Sequence, residues 1–134
     1  MKATAEPAAW TFSSERAEDA LDFRNDFVVA LQGQVTRPVE AFVAKLIYTE
    51  LVSNVVRHAP GPIQILLQRV GADHWLHVSD RGAPFDWRPA LPDDPYDQGG
   101  RGQFLISRYA QEVLVERPSA GGNVVRIRLK LSAA

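Results

Sequence analysis

The amino-acid sequence predicts an α+β fold: a two-layer sandwich whose mostly antiparallel, mixed sheet is covered on one face by three helices. The order of elements is strand, helix, helix, hairpin, loop, helix, hairpin, which differs from an alternating β/α pattern. Short glycine-containing turns join the strand-like runs in pairs, as in antiparallel hairpins. The last run alternates apolar residues with basic ones, as expected of a sheet with one buried face. Its apolar members are Val125, Ile127, Leu129 and Leu131.

Length and composition indicate one domain over residues 1–134 with an ordinary globular balance, since 46% of residues are hydrophobic and 23% charged. The formal net charge of −1 gives no indication of a general affinity for nucleic acid or anionic membranes. The chain has no cysteine, which excludes disulfides, a thiolate nucleophile and cysteine–zinc sites. No apolar run approaches the roughly 18 residues of a membrane span, and the first residues do not resemble a signal peptide, so we expect a cytoplasmic protein.

The first half of the chain predicts a strand and two helices. The strand lies around residues 10–12, and Ser13 and Ser14 can cap a helix that keeps an apolar period and ends at Gly33. Pro38 suits the first turn of the second helix, which is expected to end near His58, before a proline- and glycine-rich turn.

The second half predicts two hairpins separated by a loop and a short helix. The proline-rich stretch 83–99 is aperiodic, and we expect it to act as a lid over a ligand. The predicted segments are strands at 63–70 and 74–79, a helix at 104–110, and strands at 112–117 and 124–131.

Two polar residues, Glu50 and Asn54, lie one helical turn apart on the second helix. Helical spacing predicts that they share a stripe with Val39, Val43, Leu46 and Ile47. An unpaired polar group in a core costs about 2–7 kcal/mol, so this pattern favours a bound partner such as a metal ion with its phosphates. Two alternatives remain open: the stripe faces solvent at this point, or the amide caps a nearby loop.

Three motifs follow one another along the chain: Glu-x-x-x-Asn-x-x-x-His-Ala at 50–59, Asp-x-Gly-x-Pro-Phe at 80–85 and Gly-Gly-x-Gly-x-Phe-Leu-Ile at 99–106. Together they resemble the ATP-binding boxes of the Bergerat-fold ATPases, the superfamily of gyrase, sensor histidine kinases and mismatch-repair ATPases. The most similar branch is that of small bacterial anti-sigma factors that are also serine kinases. Ala83 and Pro84 replace the second glycine of the sensor-kinase branch, which is typical of the anti-sigma branch. The chain contains no Gly-Lys-Ser/Thr sequence of a P-loop.

The resemblance implies ATP and Mg²⁺ as ligands, and the chemistry of the residues agrees with it. The amide oxygen of Asn54 is a suitable hard ligand for Mg²⁺, and Glu50 could accept the proton of an attacking hydroxyl. Asp80 is an acceptor for the exocyclic amino group of adenine, and Gly82 permits close approach to the ring. The phosphates are expected at a helix start formed by Gly100, Arg101 and Gly102.

The implied function is that of an anti-sigma regulatory factor and ATP-dependent serine-protein kinase in a partner-switching system. Its partners would be a STAS-type anti-sigma factor antagonist as substrate, a sigma factor that it sequesters, and a second copy in a homodimer. Arg24 on the first helix is a candidate for partner contact, although an arginine that buries only its stem is equally compatible. Two alternatives remain: a non-enzymatic ATP-binding switch, and the ATPase domain of a split sensor histidine kinase. We expect His58 to be a core histidine. The family often has a threonine near the last hairpin, where this chain has Asn123.

Overall fold

The computed structural model describes residues 8–33, 37–84, 86–87 and 101–131 and has the α+β architecture that the sequence predicts. Its five strands form one sheet in the order β1-β2-β3-β5-β4, and all four pairings between them are antiparallel, so these strands show no mixed character. The elements are β1 (Ala8–Ser13), a 3₁₀ turn (Ser14–Arg16), α1 (Glu18–Gln32), α2 (Pro38–His58), β2 (Pro62–Val70), β3 (Asp73–Asp80), α3 (Arg101–Tyr109), β4 (Glu112–Glu116) and β5 (Asn123–Leu129).

The sheet buries one face against the helices, and β5 shows this most clearly. Val125, Ile127 and Leu129 are buried in the core, as the alternation of the sequence predicts. Arg126 and Arg128 lie on the other face and pair with glutamates of β4, at 3.0 Å for Arg126 Nε and Glu116 Oε1 and 3.2 Å for Arg128 Nη2 and Glu112 Oε1. The basic residues of β5 therefore belong to an ion-paired outer face.

The strand register fixes the neighbours of the second motif. Because β3 and β5 are antiparallel neighbours, the end of β3 meets the start of β5. Asp80 therefore lies opposite Asn123. Gly122, just before β5, has φ 82°, and a Cβ there would collide with the carbonyl oxygen of Asp80. Glycine is therefore required where the last hairpin approaches the end of β3.

The buried stripe of α2 is displaced from the predicted one. Its buried side chains are Ala44, Ile47, Tyr48, Leu51, Val52 and Val55. Val39 was expected to be buried and is 63% exposed, whereas Glu50 and Asn54 are half-buried. The two polar residues therefore border the core on the side of α3, a position in which they can be reached by a ligand without being enclosed by apolar side chains.

The third helix begins three residues earlier than predicted, at Arg101 instead of 104. Gly102 was expected in the turn that leads into this helix, but it lies in the first turn of the helix and packs against α2, so tertiary packing overrides the low helix propensity of glycine. Most of the stretch 83–99, predicted to be a lid, lies outside the described residues. Among the described helices, none combines the length and apolar character needed to cross a membrane.

Candidate functional site

A cavity of about 310 Å³ opens between the carboxyl-terminal half of α2, the end of β3 and α3. Small-molecule sites usually have volumes of about 300–1,000 Å³, so this cavity is large enough for part of a nucleotide. Its polar lining residues come from several elements: Asn54, His58, Asp80, Asp86, Gln103 and Asn123. The structure therefore brings the first and second sequence motifs to one cavity.

Asp80, at the end of β3, is 8% exposed, and the two oxygens of its carboxylate have different surroundings. Its Oδ1 accepts hydrogen bonds from the Gly82 amide at 2.8 Å and from Asn123 Nδ2 at 3.0 Å. The other oxygen, Oδ2, has no hydrogen-bond partner among the described residues. One oxygen is thus held by the protein, and the other remains as an acceptor for a ligand donor.

Gly82 is a glycine for a steric reason as well as for its amide. A Cβ at this position would lie 3.0 Å from Ala59 Cβ and 3.2 Å from Asp80 Oδ1, closer than ordinary contacts. A side chain at residue 82 would therefore require the turn after β3 or the carboxyl-terminal end of α2 to shift by a few tenths of an ångström. The role predicted for Gly82, close approach to a ring, is compatible with this packing but is not required to explain it.

Asn54 lines the cavity from the carboxyl-terminal half of α2, with a half-buried side chain. His58, one turn further, also lines the cavity and is exposed, so the expectation of a core histidine was wrong. The reason is the displaced stripe of α2, in which Leu51, Val52 and Val55 supply the core contacts. The side chains of Asn54 and His58 therefore border the cavity along one side of the helix.

Glu50 is beside the first turn of α3 and not among the residues that line the cavity. A Cβ on Gly102 would stand 2.9 Å from Glu50 Oε2, so the carboxylate touches the backbone at this point. The first amides of a helix are unpaired and attract anions, and the carboxylate of Glu50 is an anion beside this turn. The structure thus joins the first motif to the third through Glu50 and Gly102.

Arg101 is the first residue of α3 and is half-buried, while Gly100 lies outside the described residues. Among the described residues, no group of three or more His, Asp and Glu side chains could hold a metal ion. A magnesium ion at Asn54 would therefore need oxygens of the bound phosphates as further ligands. This donor set fits Mg²⁺, which is usually held by few protein ligands together with phosphate and water.

Arg24 is on α1 at a separate place, against α2. Its Nη1 donates to Thr49 Oγ1 at 3.3 Å, and its buried Nε has no hydrogen-bond partner among the described residues. The neighbouring Tyr48 donates its hydroxyl hydrogen to the carbonyl of Ala20 at 2.9 Å, and burial raises the pKa of this phenol. Arg24 is therefore fixed beside the residue that precedes Glu50.

Asn123 is the residue of the site whose role the sequence did not indicate. It is 2% exposed, lines the cavity, and donates to both Asp80 Oδ1 and the carbonyl of Ala83 at 3.0 Å each. The signal for it lies in long-range strand pairing, which puts the first residue of β5 opposite the last residue of β3. The carboxylate of Asp80 and the amide of Asn123 come together only because β3 and β5 are neighbours, so finding this pair requires the correct order of strands in the sheet.

The family model for the histidine kinase-like ATPase domain matches residues 8–129 of this chain. No curated protein sequence matches the chain at a significant level. The matched region contains the whole described sheet, the three helices and the cavity. The acceptor of Asp80, the oxygen of Asn54 and the glycine beside Glu50 agree with the ATP-binding role of such domains. The chain therefore belongs to the histidine kinase-like ATPase family.

Proposed function

We propose that this chain is an anti-sigma regulatory factor and ATP-dependent serine-protein kinase. Its substrate would be a STAS-type anti-sigma factor antagonist in a cytoplasmic partner-switching system, and its second partner a sigma factor that it sequesters. The proposal rests on the three motifs, which are most similar to those of the anti-sigma kinase branch. It is supported by the position of Glu50 relative to the base-binding end of the site.

The separation of two contacts along α2 carries the proposal. Gly82, which belongs to the Asp80 turn, packs on Ala59, and Gly102 packs on Glu50. Ala59 is nine positions after Glu50, which at a rise of 1.5 Å per residue corresponds to about 14 Å along the helix. This span suits a nucleoside triphosphate with its base at Asp80 and its terminal phosphate near Glu50. A nucleoside alone would leave Glu50 without a role.

The residues of the chain would divide the work between binding and chemistry. Asp80 Oδ2 would accept from the amino group of adenine, and Asn54 would supply a protein oxygen to Mg²⁺. When bound, this ion neutralises charge on the phosphates. Glu50 would accept the proton of the substrate serine as its oxygen bonds to the γ-phosphorus. The bond between that phosphorus and the ADP oxygen would break, so that phosphoserine and ADP are the products.

Partner contacts form the other half of the proposal. Arg24 is held against Thr49, the neighbour of Glu50, so a protein that touches Arg24 would come close to the reacting end of the site. We infer that the antagonist approaches over this part of α1 and α2. A homodimer is part of the same proposal, since the related anti-sigma kinases form dimers.

The test is phosphorylation of candidate antagonists encoded near this chain, with labelled ATP and Mg²⁺. The proposal expects label on a serine of one antagonist, and loss of this label when the serine is replaced by alanine. Tight ATP binding with no transfer to the antagonist that binds the protein would contradict the kinase and favour a non-enzymatic switch. Transfer of label to a histidine would instead favour a split sensor kinase.

A further inference from the structure

The Asn123 side chain joins the base-recognition carboxylate to the segment that follows β3. One hydrogen of Nδ2 goes to Asp80 Oδ1 and the other to the carbonyl of Ala83, each at 3.0 Å. An amide nitrogen has only two hydrogens, so both are used. A hydroxyl has a single hydrogen and could satisfy only one of these acceptors at a time.

The orientation of this amide is determined by its surroundings. A rotation of the amide by 180° would turn its oxygen toward two acceptors, the Asp80 carboxylate and the Ala83 carbonyl. In the observed orientation the oxygen, Oδ1, is buried and has no hydrogen-bond partner among the described residues. Buried acceptors rarely remain unpaired, and one at the lining of a cavity is more typical of a binding site than of a packed core.

We propose that Asn123 is a positioning residue for base recognition, which fixes the orientation of the Asp80 carboxylate so that one oxygen is left for the base, and couples that orientation to the segment after β3. This inference rests on the proposed ATP site. Because Asn123 and Gly82 both donate to the same oxygen, turning the plane of the carboxylate out of this orientation would break two hydrogen bonds. The oxygen that these donors leave unpaired is then available as an acceptor, which suits a 6-amino purine and opposes a 6-oxo purine.

The same segment makes two further contacts, one with Arg117 just after β4 and one with α3. Asp86 Oδ1 pairs with Arg117 Nη2 at 3.2 Å, and Trp87 Nε1 donates to Ser107 Oγ of α3 at 3.2 Å. The segment that begins at Ala83 is thus fastened to β5 at one end and to α3 at the other. Since α3 begins beside Glu50, the amide of Asn123 connects the base end of the site to its phosphate end.

Two substitutions separate positioning from a general structural effect. Asn123→Thr keeps one donor, which should prefer the charged oxygen of Asp80 because hydrogen bonds to ionised acceptors are stronger. Asn123→Asp keeps the shape but removes both donors and puts a second carboxylate beside Asp80. Asn25→Asp, on the exposed surface of α1, is the matched control for added charge.

The first measurement is the affinity for ATP and GTP by calorimetry. Asn123→Thr should keep the ATP-to-GTP preference within about threefold of the wild type. Asn123→Asp should lose at least about tenfold in ATP affinity at pH 8, and regain part of it at pH 5.5, because two adjacent carboxylates can then share one proton. His58 and Asp86 also border the cavity, so each value is compared with the wild type at the same pH.

The second measurement is amide hydrogen exchange without nucleotide, which is independent of phosphoryl transfer. In Asn123→Thr, the Gly82 amide should stay protected while the amides of Ala83, Asp86 and Trp87 exchange faster. In Asn123→Asp, Gly82 should also lose protection, since its acceptor rotates away. Wild-type ATP affinity of Asn123→Asp at pH 8, or a loss that does not recover at pH 5.5, would overturn the inference. A wild type that binds ATP without transferring phosphate would overturn only the kinase proposal.

Discussion

The carboxylate of Glu50 lies against the backbone of Gly102, with Oε2 2.9 Å from where a Cβ on that glycine would be. This contact connects a helix that carries the candidate base with a helix whose first amides can bind phosphate. It also explains why α3 can begin with a glycine in its first turn: a larger residue would displace Glu50.

Gly102→Ala should lower phosphoryl transfer without destabilising the fold. The added Cβ meets the mobile end of a glutamate, so Glu50 moves while the helix stays in place. The helix propensity of alanine exceeds that of glycine by about 1 kcal/mol, which offsets part of the strain. Single-turnover transfer and thermal unfolding measure the two effects. Gly33→Ala, where a Cβ meets nothing within 4 Å, is the control. Unchanged transfer by Gly102→Ala would show that the contact with Glu50 is unimportant for the reaction.

Asp80→Asn should reduce the preference for ATP over GTP. An asparagine can keep the bonds from Gly82 and Asn123 through its oxygen, which places its NH₂ group where Oδ2 now faces the cavity. The NH₂ group then faces the amino group of adenine, and two donors cannot form a hydrogen bond with each other. Leaving these groups without an acceptor costs about 1–3 kcal/mol, or roughly 5- to 150-fold in affinity. Calorimetry with both nucleotides measures the ratio. A variant with the wild-type ratio would exclude Asp80 as the group that distinguishes the bases.

Asn54→Ala should remove the contribution of Mg²⁺ to ATP affinity and leave metal-free binding nearly unchanged. Asn54 supplies an amide oxygen at the cavity, and the described residues contain no cluster that could replace it. The measurement compares ATP affinity with Mg²⁺ and with a chelator. Asn25→Ala, on the exposed surface of α1, should behave as the wild type does. If Mg²⁺ raised ATP affinity equally in Asn54→Ala and the wild type, Asn54 would not be a ligand of the ion.

Protonation of His77 should lower the free energy of unfolding in mild acid. His77 lies on the outer face of the sheet, where Arg126 Nη1 donates to its Nδ1 at 2.9 Å. Burial, with the charge of Arg126, lowers the pKa of His77 below its ordinary value of 6.5. The unfolded chain therefore binds the proton more readily, so this stabilisation is complete above pH 6.5 and is lost as the pH falls further.

Urea unfolding between pH 7.5 and 5 tests this dependence, with His77→Gln as the variant. The variant should show a shallower decrease in the free energy of unfolding than the wild type over this range. Part of the slope should remain, since burial also lowers the pKa of His74. Identical slopes in the two proteins would mean that His77 is not responsible.

Local signals in the sequence were sufficient for most of the fold. Pro38 and the turn after His58 correctly bounded α2, and the alternation in β5 correctly separated its buried and outer residues. These features depend on neighbours within a few positions, where helix and strand periods are decisive. The predicted start of α3 at residue 104 was wrong, since Gly102 lies within the helix and packs against Glu50 despite its weak helix propensity.

The site was predictable where a motif carried its chemistry, and less so where distant strands meet. Asp80 and Asn54 were named from the sequence, and both line the cavity. Asn123 was noted but given no role, because its role depends on the pairing of β3 with β5, which brings it to Asp80, 43 positions away. Glu50 was expected within an apolar stripe but borders the core, since the helix is rotated from the orientation that the pattern suggested.

Glu50→Gln tests the proposed reaction most directly, by single-turnover phosphorylation of the antagonist at saturating Mg-ATP. Glutamine keeps the size of the side chain and removes the base, while Asp80 and Asn54 remain to bind the nucleotide. We expect ATP affinity close to that of the wild type and transfer slower by about 10²- to 10⁴-fold, the usual effect of removing a general base. Transfer at the wild-type rate by Glu50→Gln would contradict the role of Glu50 and the reaction proposed for this site.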